Sequence, residues 1–164
     1  MRVLLFLVAA LFGIAAAHAQ TSVYYAERGH WSVMTTGQAC RALNRPPADF
    51  NAAPYNGLQI VARPGSGLGV EVFFWPQAID PAKAYRLTLT FSAGQPITLD
   101  AKATIGDYML ASADEAKLWR LFQDAKTVQV GVDGEPKLML IFGLDDIEWV
   151  LGGLTSCRDL LPKE

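Results

Sequence analysis

Hydrophobic and polar residues alternate along most of this chain, in short runs punctuated by Gly and Pro. The clearest run is Arg86 to Phe91, where Leu87, Leu89 and Phe91 interleave with Arg86, Thr88 and Thr90. Strict alternation gives a strand one packed face and one wet face. Similar runs predict strands at His30–Met34, Ala39–Leu43, Leu58–Ala62, Val70–Trp75, Ile97–Leu99 and Tyr108–Leu110. Arg63 to Gly67 reads as a turn, and Gln20 to Glu27 as a loose lead-in. In Val70–Trp75 both faces carry bulk: Glu71, Phe73 and Trp75 on one, Val70, Val72 and Phe74 on the other. Such a strand is buried on both sides.

The period then changes. Ser112-Ala113-Asp114-Glu115 has the spacing of a capping box, and Leu118, Phe122 and Ala125 follow at helical intervals. Thr127–Val132 and Lys137–Phe142 form a hairpin around Asp133-Gly134. In the last element Ile147, Val150, Leu151, Leu154, Cys157 and Leu161 share one helical stripe. Asp145 is placed to cap that helix, with Glu148 three positions on, and Trp149 and Leu160 fall away from the stripe. Strands outnumber helices and rarely alternate with them, so the expected class is mainly β (α+β). The expectation is an antiparallel sheet or sandwich with one inserted helix and a C-terminal helix.

Met1 to Gln20 belongs to a different pattern. Arg2 precedes an apolar run of about fifteen residues, and Ala17-His18-Ala19 supplies small residues where a signal peptidase cuts. This predicts a signal peptide over residues 1–19 and a single mature domain over 20–164, periplasmic or secreted. No later stretch has the length of a membrane span, so the mature chain is expected to have none. Without Arg2, 13 basic residues stand against 16 acidic ones, a formal charge of −3. That balance argues against nucleic acid as a partner.

Cys40 and Cys157 are the two cysteines of the chain. Export and an even count favour a disulfide between them. Closing a loop of that length is worth roughly 4 to 5 kcal/mol in the entropic account. Cys157 lies on the buried stripe of the last helix, so the bridge would pin that helix to the sheet.

Candidate chemistry is sparse. A nucleophilic triad needs a base, and after cleavage His30 is the one histidine. Gly65-Ser66-Gly67-Leu68-Gly69 precedes a strand, so it fits neither a nucleophile elbow nor a phosphate loop. Asp114, Glu115, Asp145 and Asp146 sit at helix starts, where the dipole favours acids. These readings predict no catalytic residues, no metal and no cofactor. A hydrolase would have to use Asp100, Asp107 and His30. The candidate binding residues are Trp149, Trp75, and Ser66 with Leu68 in the glycine loop, since tryptophan is a frequent interface anchor.

The His30-Trp31-Ser32-Val33 segment, Cys40 soon after it, and a β-rich body behind a signal peptide resemble the layout of the invasion-associated locus B family of small envelope proteins. The resemblance implies an exported, non-enzymatic protein acting at the cell surface. The export signal, the disulfide and the missing active site make binding of an envelope or extracellular protein the expected function. Two alternatives stand beside it: inhibition of an envelope hydrolase (a lysozyme or a protease) through a rigid loop at Pro64 to Gly69, and carriage of a small apolar ligand.

Overall fold

A computed structural model of the chain describes residues 24–44, 56–74, 79–105, 108–112 and 115–162. It is mainly β. The strands are β1 (Tyr25–Arg28), β2 (Trp31–Thr36), β3 (Ala39–Asn44), β4 (Gly57–Arg63), β5 (Ser66–Phe73), β6 (Ala84–Phe91), β7 (Ile97–Ile105), β8 (Tyr108–Ser112), β9 (Thr127–Val132) and β10 (Glu135–Gly143). Two helices complete it, α1 (Glu115–Asp124) between β8 and β9, and α2 (Ile147–Asp159) at the end.

Neighbouring strands all pair antiparallel, in the order β1-β2-β3-β4-β5-β8-β7-β6-β9-β10. The first five run as a meander. The next three form a second meander laid down in reverse, so that β8 meets β5 and β6 meets β9. Two bonds draw the ends of this order together. Asn44 Nδ2 donates to Gly143 O (2.8 Å), and Trp31 Nε1 donates to Asp145 O (2.9 Å). The sheet is thus curled, and its inner face and both helices share one core.

The inner face follows from register. Cys40, Ala42 and Asn44 of β3 lie opposite Ala62, Ile60 and Leu58 of β4, and Leu68, Val70 and Val72 continue the layer on β5. Helix α2 covers β2, β3 and β4 with Ile147, Val150, Leu151, Leu154 and Cys157. Gly153 is part of this contact. A Cβ there would stand 3.3 Å from Val33 Cγ2, so glycine lets α2 lie close on β2. Helix α1 packs on β5 and α2, and its Phe122 meets Phe91 of β6 edge-on, with centroids 5.1 Å apart.

Cys40 and Cys157 form the expected disulfide, with Cα atoms 6.0 Å apart and both residues fully buried. The antiparallel β-rich class and the pinned terminal helix are as the pattern predicted. Other expectations need correction. Residues Tyr25 to Glu27, read as part of a loose lead-in, join Arg28 in β1 on the edge of β2. Ser112 ends β8 and Glu115 is the first described residue of α1; the capping box expected between them lies across residues outside the described ones. Asp145 is not the cap of α2. Asp146 occupies that position with φ 61°, and its side chain makes no capping bond. The turn expected at 63–67 shrinks to Pro64-Gly65, with Gly65 at φ 69°, the sign a Pro-Gly turn needs at its second position.

The outer face of β3 to β5 holds a buried ionic group. Glu71, 1% exposed, accepts hydrogen bonds from Arg41 and from Arg63 (Nη2 to Oε1, 3.5 Å). Arg41 also donates from Nη1 to Gln59 Oε1 (3.2 Å) and from Nε to Thr36 Oγ1 (2.7 Å). A carboxylate out of water is stable only with such partners.

Two outcomes are expected from this packing. Opening the disulfide with a reductant should lower unfolding free energy by about 4 kcal/mol, read as the shift in urea midpoint between oxidised and reduced protein. Glu71→Leu should cost about 2 kcal/mol in the same assay, because it removes the charged acceptor that holds the partly buried Arg41.

Candidate functional site

Helix α2 begins at a sharp corner. The chain leaves β10 at Gly143, and Leu144 N bonds back to Lys126 O (2.8 Å), which joins the corner to the end of α1. Trp31, buried on β2, holds Asp145 through its indole N–H. Arg28 Nε meets Asp146 Oδ1 at 2.9 Å. The left-handed conformation of Asp146 then turns the chain into the helix, whose first bond runs from Val150 N to Asp146 O (3.1 Å). The carboxylate at the cap position, that of Asp146, is thus engaged by Arg28 of β1, while Asp145, the residue that spacing offered as a cap, is held through its carbonyl.

Between this corner and the last turn of α1 lies an open cleft of about 370 Å³. Trp149 forms one wall, half-buried and packed against the core. Asp124, Asp145, Asp146 and Glu148 line the cleft against Arg28 and Lys126, an excess of two negative charges. The positive end of the α2 dipole offsets part of it. An aromatic wall under a carboxylate rim is suited to a cationic side chain, which such a wall attracts through its ring face.

The structure separates the other candidates. Leu68 is fully buried in the inner layer, where it packs the core. Ser66 begins β5 opposite Arg63, which leaves Pro64 and Gly65 alone beyond the strands at that hairpin. Trp75, Ala17, Ala19 and Asp107 lie outside the described residues. His30, expected in a strand, is exposed in the β1–β2 turn. Asp100 is exposed on β7 opposite Arg86. Strands β3, β4, β5 and β8 stand between β2 and β7 in the sheet order, so His30 and Asp100 are not brought together by pairing.

Sequence reasoning missed Arg28, Arg41 and Arg63. One signal was available. Glu71 interrupts Val70 to Phe74, a run apolar on both faces, and a charge in such a run requires a buried cation. Elsewhere, Lys83 Nζ donates to Glu135 Oε1 (2.5 Å), and this bond holds the exposed ammonium above the usual lysine range. It joins the approach to β6 to the start of β10.

Comparison with known protein families, curated proteins and solved structures gave no match to this chain.

The indole bond is the most direct test of the corner. Trp31→Phe keeps the buried ring and removes one hydrogen bond, leaving Asp145 O without its donor. The expected loss is about 1 kcal/mol in urea unfolding, with faster amide exchange at Ile147 and Glu148. Unchanged exchange there would show that Trp31 does not hold the corner.

Proposed function

We propose that this is an exported envelope protein that acts by binding another protein, and that its contact is the cleft at the start of α2. The observation that carries the reading is Trp149, half-buried on the wall of an open cleft whose rim has an excess of carboxylates. Tryptophan in a partly desolvated pocket is a frequent energetic anchor. The charge balance selects a partner segment carrying Lys or Arg. The pattern of Met1 to Gln20 supports export, and the intact disulfide fits an oxidising compartment. Among the described residues no helix is long and apolar enough to cross a membrane. The resemblance to the invasion-associated locus B proteins points to the same kind of role.

Two measurements test this. N-terminal sequencing of the protein from an envelope fraction should start at Gln20; a start at Met1 would remove the export reading. A photo-crosslinking amino acid at Glu148, activated in living cells, should trap one envelope protein through a segment rich in Lys or Arg. Trp149→Ala should reduce that product at least about tenfold, as loss of an anchor worth more than about 1.4 kcal/mol requires. Equal crosslinking with Trp149→Ala, or a product whose contact segment is acidic, would overturn the assignment.

A further inference from the structure

The ionic group on the outer face has one cation more than it needs. A single buried carboxylate is neutralised by a single guanidinium, yet Glu71 is met by two, which leaves one net positive charge among the described residues. The two arginines differ in how they are held. Arg41 is fixed on three sides, by Glu71, Gln59 and Thr36. Arg63 has one contact to Glu71 at 3.5 Å, and its side chain is 35% exposed. Above them opens a second pocket, of about 410 Å³, lined by Thr36, Gln38, Arg41, Arg63, Pro64 and Pro162. Thr36 Oγ1 accepts from Arg41, so its own hydrogen remains to donate into the pocket. The end of α2 adjoins this pocket, and two of its last carbonyls are already satisfied, Cys157 O by Leu160 N and Arg158 O by Leu161 N.

We propose that this pocket binds a carboxylate group. Arg63 supplies the planar pair of donors that a carboxylate fits. Glu71 and Gln59 hold Arg41 in place beside it, so little side-chain freedom is lost on binding. One excess positive charge matches a monoanion better than a phosphate dianion. The carboxylate can belong to a free organic acid or to the C-terminus of a peptide. The proposal does not rest on the Trp149 reading, because the two clefts lie at opposite ends of α2, about 20 Å apart at 1.5 Å per residue.

The test is a side-chain ¹⁵N spectrum of the arginine Nε–H groups, recorded on the mature protein. Titrants are acetate, phosphate, acetyl-Ala-Ala as free acid, and the same dipeptide amidated, with chloride matching ionic strength throughout. Arg41 and Arg63 should shift saturably with acetate and with the free-acid dipeptide, and not with the amide. Tighter binding of the dipeptide acid than of acetate would assign a peptide terminus; equal or weaker binding would assign a small free acid. Arg63→Gln should weaken acetate about tenfold, in line with loss of one charged hydrogen-bonding group, while Tm stays unchanged. Arg63 is chosen because Arg41→Gln would also disturb the buried carboxylate. Non-saturating shifts, an unchanged Kd in Arg63→Gln, or tighter binding of phosphate than of acetate would overturn the proposal.

Discussion

The fold depends on α2 being held against the inner face of β2 to β4. That face presents Val33, Ala42, Ile60 and Leu58, all fully buried, and α2 is the element that covers it. A helix of 13 residues would be marginal on its own, so its position must come from tertiary contacts. It is fastened at both ends. Cys157 is bonded to Cys40 near its C-terminus, while Trp31 and Arg28 hold Asp145 and Asp146 at its N-terminus. The disulfide alone contributes on the order of 4 kcal/mol, a large share of the roughly 5 to 15 kcal/mol that keeps a domain folded. Release at either end would uncover the inner layer of β2 to β4.

The same fastening explains the curl. A ten-stranded antiparallel sheet has two free edges, and edges are liabilities. Here β10 is brought round until Gly143 meets Asn44, which places its end beside β3 through side-chain bonds and not through another ladder. The rest of the β10 edge carries Pro136 and Lys137, residues that discourage further pairing. Met139 and Ile141 remain exposed on its outer face.

What was legible in the sequence was whatever a local period writes. Leu87, Leu89 and Phe91 alternate, and all three are buried; the α2 stripe from Ile147 to Cys157 is buried as its spacing implied. The disulfide was legible too, because an expected export signal, an even count and the place of Cys157 on the buried stripe all favour pairing two cysteines. Strand β1 was not, since Tyr25 to Arg28 has no buried face of its own and exists by pairing with β2. The α2 cap failed for a related reason. Spacing favoured Asp145, three positions before Glu148, and what moves the cap to Asp146 is Trp31 and Arg28, more than a hundred residues away in the chain. Of the Trp149 cleft the sequence offered the indole and its position off the stripe, but not the α1 wall or Arg28. The Arg41–Glu71–Arg63 group needed three strands in register, and Glu71 was its one local trace.

The two clefts share an electrostatic logic with the helix between them. Acidic residues crowd the N-terminal end of α2 and arginines the C-terminal end, the arrangement that complements a helix dipole. Each end therefore spends part of its charge on the helix, and only the excess can act on a ligand. At the N-terminus that excess is two negative charges over a half-buried indole; at the C-terminus it is one positive charge over a buried carboxylate. Both are small, partly screened and open to solvent, so contacts made through them are salt-sensitive and reversible. Under the proposed function, binding would consist of several modest contacts on a rigid frame. The frame is rigid because the disulfide and the Trp31 corner hold the helix from opposite ends.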